Sequence, residues 1–174
     1  MSDQGPELIE QRGLYLDELK VDAIYVHKPG RTLTEADNVQ FTTMTMNNQG
    51  LHLDAAWTAT QPFGKPLVNS LLTLSTMIGQ SVPQLTEGTI IGQLGLNDVN
   101  FPHPMFHGDT LYTQTEITQV RESKSRPGQG IVSMKHTGRN QNGVVVATAT
   151  RTCLMWSKAA HLASLETSDG GTHG

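Results

Sequence analysis

Between Leu67 and Ile78 the chain carries no charged residue. Nearly every position in this run is apolar or small, so as a helix it is buried on most sides. A helix with no wet face needs something long to wrap it. Pro66 stands just ahead of it and suits a first helical turn, where the missing N–H would have no partner anyway. Phe63-Gly64-Lys65-Pro66 reads as the loop leading in.

The second half of the chain supplies the wrapping. Thr89 to Leu96, Thr110 to Val120, Gly130 to Arg139 and Val144 to Trp156 read as strands. The last two are joined by Asn140-Gln141-Asn142-Gly143, in which Asn142-Gly143 is a hairpin signal. Strands of about ten residues are long. The fold class this predicts is α+β: one domain with a long antiparallel sheet curled round a central apolar helix. Another α+β wrap fits the same pattern.

The first half is lighter. Val21 to His27 reads as a short strand stopped by Pro29-Gly30. Thr34 is a good N-cap, and Glu35 and Asp37 suit the positive end of a helix that should run to about Met46. Asn47-Asn48-Gln49-Gly50 ends it, and Leu53 to Thr58 reads as a helical turn with Asp54 near its start. Residues 1–13 read as a loose N-terminal segment, 14–157 as the domain, and 158–174, which ends in a polar glycine-rich run, as a disordered tail.

Composition narrows the function. Of 174 residues, 36% are hydrophobic and only 5% aromatic, so the core rests on Leu, Val, Ile, Met and Ala. A net charge of −4 argues against a nucleic-acid partner, which needs a basic face. No apolar run reaches the roughly 18 residues of a membrane span, so no membrane partner is expected, and the first residues lack the pattern of a signal peptide. Cys153 is the single cysteine. It cannot form an intrachain disulfide, which favours a reducing, cytoplasmic setting, and its mid-strand position suits a small core residue.

Four constellations could carry chemistry. Asn47-Asn48-Gln49-Gly50-Leu51-His52-Leu53-Asp54 gathers one histidine, one carboxylate and three amides. The plain reading is a capped helix end. The functional reading is a general base, His52, beside amides that hold water or substrate. The start of the apolar helix, around Asn69-Ser70, offers backbone N–H groups as an oxyanion site, although every helix has such a terminus. His103 and His107 are four apart, but Pro102 and Pro104 forbid a regular helix there, so no metal is expected. Arg121-Glu122-Ser123-Lys124-Ser125-Arg126-Pro127-Gly128 is the densest basic patch, either a solvated hairpin tip or a phosphate clamp. No Gly-x-Ser-x-Gly, P-loop or Gly-x-Gly-x-x-Gly motif is present.

These pieces, in this order, resemble the MaoC-like dehydratase and (R)-specific enoyl-CoA hydratase family of hot-dog proteins. The matching blocks are Thr-Leu-Thr-Glu-Ala-Asp at 32–37, Leu-His-Leu-Asp at 51–54, Phe-Gly-Lys-Pro-Leu-Val-Asn-Ser-Leu at 63–71, Phe-His-Gly-Asp-Thr-Leu at 106–111 and Arg-Glu-Ser-Lys-Ser-Arg-Pro-Gly-Gln-Gly-Ile-Val at 121–132. The last two are most similar to the mesaconyl-CoA hydratase (β-methylmalyl-CoA dehydratase) and itaconyl-CoA hydratase branch.

The resemblance implies a single hot-dog domain. It implies reversible addition of water across the α,β double bond of an acyl-CoA thioester, with coenzyme A arriving as part of the substrate and no separate cofactor. It makes His52 the acid/base and the backbone N–H of Ser70 the donor to the thioester carbonyl. The family aspartate falls on Asn47, which can orient water but cannot exchange protons. Either His52 works alone, or Asp54 or Asp37 stands in, or the protein chiefly binds a CoA ester. Asn48, Gln49 and Asn69 are candidates for the acyl group, and Arg121, Lys124 and Arg126 for the CoA phosphates. A homodimer with the site at its interface is implied as well. A hot-dog thioesterase is the competing enzyme, disfavoured because 67–78 holds no acid.

Overall fold

The computed structural model describes residues 6–169. After a 3-10 turn at Leu16–Glu18 come β1 (Ile24–Val26), β2 (Arg31–Thr32), α1 (Glu35–Met44), α2 (Gly50–Leu53), α3 (Ala55–Thr58) and α4 (Ser70–Leu85). Then follow β3 (Ile90–Asn100), β4 (Thr110–Glu122), β5 (Gln129–Arg139), β6 (Val145–Trp156) and α5 (Lys158–Asp169). The strands form one antiparallel sheet in the order β1-β4-β5-β6-β3, with β2 also paired to β4. The sheet curls round α4, which is the hot-dog arrangement. No helix among the described residues is long and apolar enough to cross a membrane.

Local chemistry explains the element ends. Thr34 caps α1: its hydroxyl accepts from the Asp37 N–H at 3.1 Å, and the Asp37 carboxylate accepts from the Thr34 N–H at 2.9 Å. The helix stops at Met44, short of the expected Met46, whose φ of 59° is left-handed. Gly143 closes the β5–β6 hairpin with φ 76°, and Asn140 Oδ1 accepts from the N–H groups of Asn142 and Val144.

Pro66 does not open the central helix. Leu67 bridges to Phe106, and the Val68 N–H donates to the Met105 carbonyl at 2.8 Å, so 67–68 is held extended. Asn69 is the N-cap, accepting from the Leu71 N–H at 3.0 Å. The helix then runs past Ile78 to Leu85. It sits so close to the sheet at Gly138 that a Cβ there would meet Leu111 Cδ1 at 3.0 Å and Met77 Sδ at 3.1 Å.

The expected tail needs correction: 158–169 is helix α5. Ala159, Ala160, Leu162, Ala163 and Leu165 are good helix formers ahead of the glycines. The ring of Trp156 stacks on His161 at 5.6 Å, and the Lys158 N–H donates to Asp17 at 2.8 Å, so the helix is tied down. The remainder of the expected tail, 170–174, and residues 1–5 of the expected loose start lie outside the described residues. Residues 6–12 have no regular structure.

The core is divided. One apolar cluster gathers Leu33, Val68, Met77, Met105, Leu111, Val146, Ala147 and Ala149. The other gathers Leu16, Leu85, Ile117, Val132, Met134, Cys153 and Met155, with Cys153 fully buried. Along β4, β5, β6 and α4 the residues between the clusters are polar: Thr113, Thr115, His136, Arg151 and Gln80. The Gln84 side-chain oxygen takes the Nδ1–H of His27 at 2.9 Å, so His27 Nε2 must accept from the Thr115 hydroxyl at 2.7 Å. That hydroxyl oxygen in turn accepts the Nδ1–H of His136 at 2.8 Å. With both rings neutral, each of these contacts has one donor and one acceptor. Burial holds both below the ordinary histidine range, His136 to about 3 with help from the charge of Arg151 and from His27.

Candidate active site

The inner face of α1 is polar rather than apolar: its buried residues are Asn38 and Thr42. Asn38 is fully buried, and its side chain reaches three separate segments. The oxygen accepts from the Asn69 N–H at 2.7 Å. The nitrogen faces the Leu67 carbonyl at 3.2 Å, the His52 carbonyl at 3.3 Å and His107 Nε2 at 3.0 Å.

His52 lies half-buried on α2. Its Nδ1 is 2.9 Å from the Leu67 carbonyl oxygen. A carbonyl only accepts, so Nδ1 carries a proton, and in the neutral ring the lone pair is then on Nε2. Nε2 has no protein partner among the described residues. Three residues beyond Leu67, Ser70 begins α4. Asn69 takes the Leu71 N–H, whereas the Ser70 N–H has no partner among the described residues. Ser70 and Leu67 both line a cleft of about 230 Å³, walled further by Phe63, Val68, Met105, Val146 and the segment 101–104; His52 is held behind Leu67 and does not itself line it. The positive end of a helix of 16 residues thus opens onto a largely apolar cleft.

The other expected residues scatter. Asn47 is half-buried, and its side-chain oxygen accepts from the Gln49 N–H at 3.2 Å. Asn48 and Gln49 are exposed. Asn69 is occupied: its oxygen caps α4 and its nitrogen donates to the Thr42 hydroxyl at 3.3 Å. This removes it from the set of amides free for an acyl group. Asp54 is exposed and caps α3, accepting from the Trp57 N–H at 2.8 Å. Asp37 caps α1, and the Thr34 N–H and hydroxyl, with Arg31, hold its carboxyl below the ordinary range. Neither carboxylate lines the cleft.

The basic hairpin lies apart from the cleft within one chain. Arg121, Lys124 and Arg126 are exposed. Register sets Arg121 opposite Ile131, which pairs with Leu154, whereas the cleft meets β6 at Val146. At about 3.3 Å per residue the hairpin stands roughly 26 Å along the sheet from the cleft in the same chain. Sequence spacing could not show this, because it depends on which end of each long strand meets which end of α4. A cation near the cleft is Lys65. Its ammonium lies 4.0 Å over the ring of Phe106, which packs edge-on against Phe63 of the cleft wall.

Two residues of consequence escaped the sequence reading, Asn38 and Lys65. A signal for Asn38 existed. Asn38 and Thr42 are four apart on α1, so two polar residues share one face where an apolar stripe would be expected.

Residues 18–140 match the model of the MaoC like domain family, and the chain belongs to that family. It is 27% identical over 140 residues to the beta-methylmalyl-CoA dehydratase of Chloroflexus aurantiacus, covering 77% of this chain and 38% of that protein. It is 33% identical over 93 residues to the (R)-specific enoyl-CoA hydratase of Aeromonas caviae, covering 51% of this chain and 65% of that one. Among solved structures, a Mycobacterium tuberculosis protein with a double hot-dog fold superposes with a TM-score of 0.74 at 24% identity, over 86% of this chain and 46% of that one. The chain therefore spans less than two thirds of the length of each of these relatives.

Proposed function

We propose that this protein catalyses reversible hydration and dehydration of an α,β-unsaturated acyl-CoA thioester. One observation carries the reading. The Leu67 carbonyl fixes the tautomer of His52, and three residues later the chain presents the Ser70 N–H to an apolar cleft. A proton-transfer group and a carbonyl donor are thereby anchored to the same stretch of backbone.

The thioester carbonyl accepts from the Ser70 N–H, which draws electron density from the β-carbon. Water, steadied by the Asn47 side chain, gives a proton to His52 Nε2 as its oxygen bonds to the β-carbon. The resulting enolate oxygen remains on the Ser70 N–H. The Nε2–H then passes to the α-carbon on the same face, which restores neutral His52. One group takes and returns the proton, so no carboxylate is needed at position 47. Dehydration runs the same steps backwards.

The finer reading is a C5 dicarboxylyl ester of mesaconyl or itaconyl type, the mesaconyl form supported by similar proteins named beta-methylmalyl-CoA dehydratase and mesaconyl-CoA hydratase. Asn48 and Gln49 are the free amides for its second carboxylate. A homodimer with the site at its interface belongs to the same proposal. The hairpin of Arg121, Lys124 and Arg126 would then serve a CoA phosphate from the second copy, with Lys65 the cation close by in the same chain. A second reading, a CoA-ester binding subunit with weak catalysis, is favoured by Asn47 itself. A thioesterase is disfavoured because Asp37 and Asp54 are both occupied as helix caps.

The test offers mesaconyl-CoA, itaconyl-CoA and crotonyl-CoA separately to the purified protein and follows enoyl absorbance and product mass. Turnover of a C5 dicarboxylyl ester supports the full reading. Turnover of crotonyl-CoA alone keeps the chemistry and removes the branch. Binding without turnover selects the binding subunit.

A further inference from the structure

We infer that Asn38 is the positioning residue that locks His52 in its proton-accepting tautomer and couples it to the start of α4. This rests on the hydratase reading for its catalytic meaning, but the geometry stands independently of it.

The orientation of the Asn38 amide is determined by its partners. The Asn69 N–H can only donate, so the group 2.7 Å from it is the oxygen. The nitrogen, with two protons, then faces three acceptors: the carbonyls of Leu67 and His52 and the ring nitrogen of His107. The Leu67 carbonyl also receives His52 Nδ1–H. Both lone pairs of one oxygen are therefore engaged, one by Asn38 and one by the proposed base. The direction of that carbonyl sets the plane of the His52 ring and keeps the proton on Nδ1. The same amide holds the His52 carbonyl from behind and grips the Asn69 N–H, next to the Ser70 donor. One fully buried side chain thus sets the placement of the proton acceptor relative to the carbonyl donor.

No ordinary packing role requires this residue type. An apolar side chain of similar volume would fill the space, but it would leave the Asn69 N–H unpaired and the Leu67 carbonyl free to turn. A buried donor left without a partner is costly, and a misplaced reacting group is costlier for turnover than for the fold.

The experiment measures two quantities in the full chain. Long-range proton–nitrogen correlation spectra of imidazole-labelled protein, taken well above the ordinary histidine pKa, report the His52 tautomer without any substrate. Steady-state kinetics on the best enoyl-CoA report kcat and KM. In the wild type His52 is protonated on Nδ1. In Asn38→Ala it becomes a mixture of tautomers, and kcat falls on the order of 100-fold while KM changes little. Asn38→Asp keeps the acceptor for Asn69 but turns an oxygen towards the Leu67 and His52 carbonyls, and gives the same two changes. Asn38→Ser and Asn38→Asp carry the test if the alanine variant does not fold. A folded variant whose His52 stays wholly on Nδ1 and whose kcat is unchanged overturns the proposal. If the wild type turns over no enoyl-CoA, the hydratase reading fails, and the tautomer spectra still decide the role of Asn38.

Discussion

His136 donates its Nδ1–H across 2.8 Å to the hydroxyl of Thr115, and a second proton on this ring would have to sit on Nε2, inside the core and beside the charge of Arg151. The folded protein therefore holds His136 at about 3, against 6.5 for the free side chain. Between those values the unfolded chain binds a proton that the native chain refuses. The stabilisation is fully present above about pH 6.5 and is lost as the pH falls towards about 3. His27, also lowered by burial, acts in the same direction. Urea denaturation at a series of pH values should show stability falling on acidification, by up to about 1.4 kcal/mol per pH unit for one such group. His136→Gln should flatten that slope; an unchanged slope would mean that other groups carry the acid sensitivity.

His52→Ala should remove turnover by a factor on the order of 10² to 10⁴ while the thermal midpoint moves little. The ring is only half-buried, and among the described residues its one protein bond is to Leu67. Enoyl-CoA kinetics beside a melting curve make the check. Retained turnover would end the assignment of His52 as acid/base.

Asn69→Ala should weaken the fold by about 1–2 kcal/mol, because it strips the N-cap from α4. The lost bonds are those to the Leu71 N–H and the Thr42 hydroxyl. Asn69→Asp keeps the capping oxygen and should recover part of the loss, as read from denaturant midpoints.

Two glycines should respond in opposite directions to alanine. At Gly13 a Cβ would meet the backbone of Thr86 at 2.5 Å and of Leu85 at 2.6 Å, so Gly13→Ala forces the N-terminal segment away from α4. At Gly79, on the exposed side of the helix, a Cβ meets nothing within 4 Å. Gly79→Ala should stabilise by about 0.5–1 kcal/mol through helix propensity. Differential scanning calorimetry on the two variants would show melting temperatures moving apart.

Cys153 should be unreactive until the protein unfolds. It is fully buried, and burial pushes its thiol up from the ordinary value, which leaves little thiolate. Iodoacetamide labelling should therefore track global unfolding across a urea series. Rapid labelling in native buffer would contradict this burial.

What the sequence showed and what it hid divide along a physical line. The uncharged run around Leu74, the long strands and the Asn142-Gly143 turn are local patterns, and the structure contains them with ends shifted by a few residues. The family blocks led to His52 and Ser70. Pro66 misled because tertiary pairing of Leu67 and Val68 holds the chain extended past the point where propensity starts a helix. Asn38 stayed hidden because its partners come from positions 52, 67, 69 and 107, which only the fold assembles. The basic hairpin was legible as a patch, but its distance from the cleft was not. Alanine-rich α5 was misjudged because the glycines that follow it dominated the composition of the tail.

The polar layer between the two apolar clusters has a consequence for how the strands find one another. Sliding β6 by two residues along β5 leaves every side chain on its original face, so alternation alone does not forbid the slip. In the native pairing His136 lies opposite Ala149, and Arg151 opposite Met134. A slip of β6 would shift Arg151 along the interior away from Gln93 on β3 unless β3 moved with it, and a like slip of β5 along β4 would strand the Thr115–His136 bond, at about 1–3 kcal/mol for each buried group left alone. The layer therefore works as an alignment mark: a chain whose long strands could mate at several offsets is given one offset at which His27, Thr115 and His136 join in a line and Arg151 reaches Gln93.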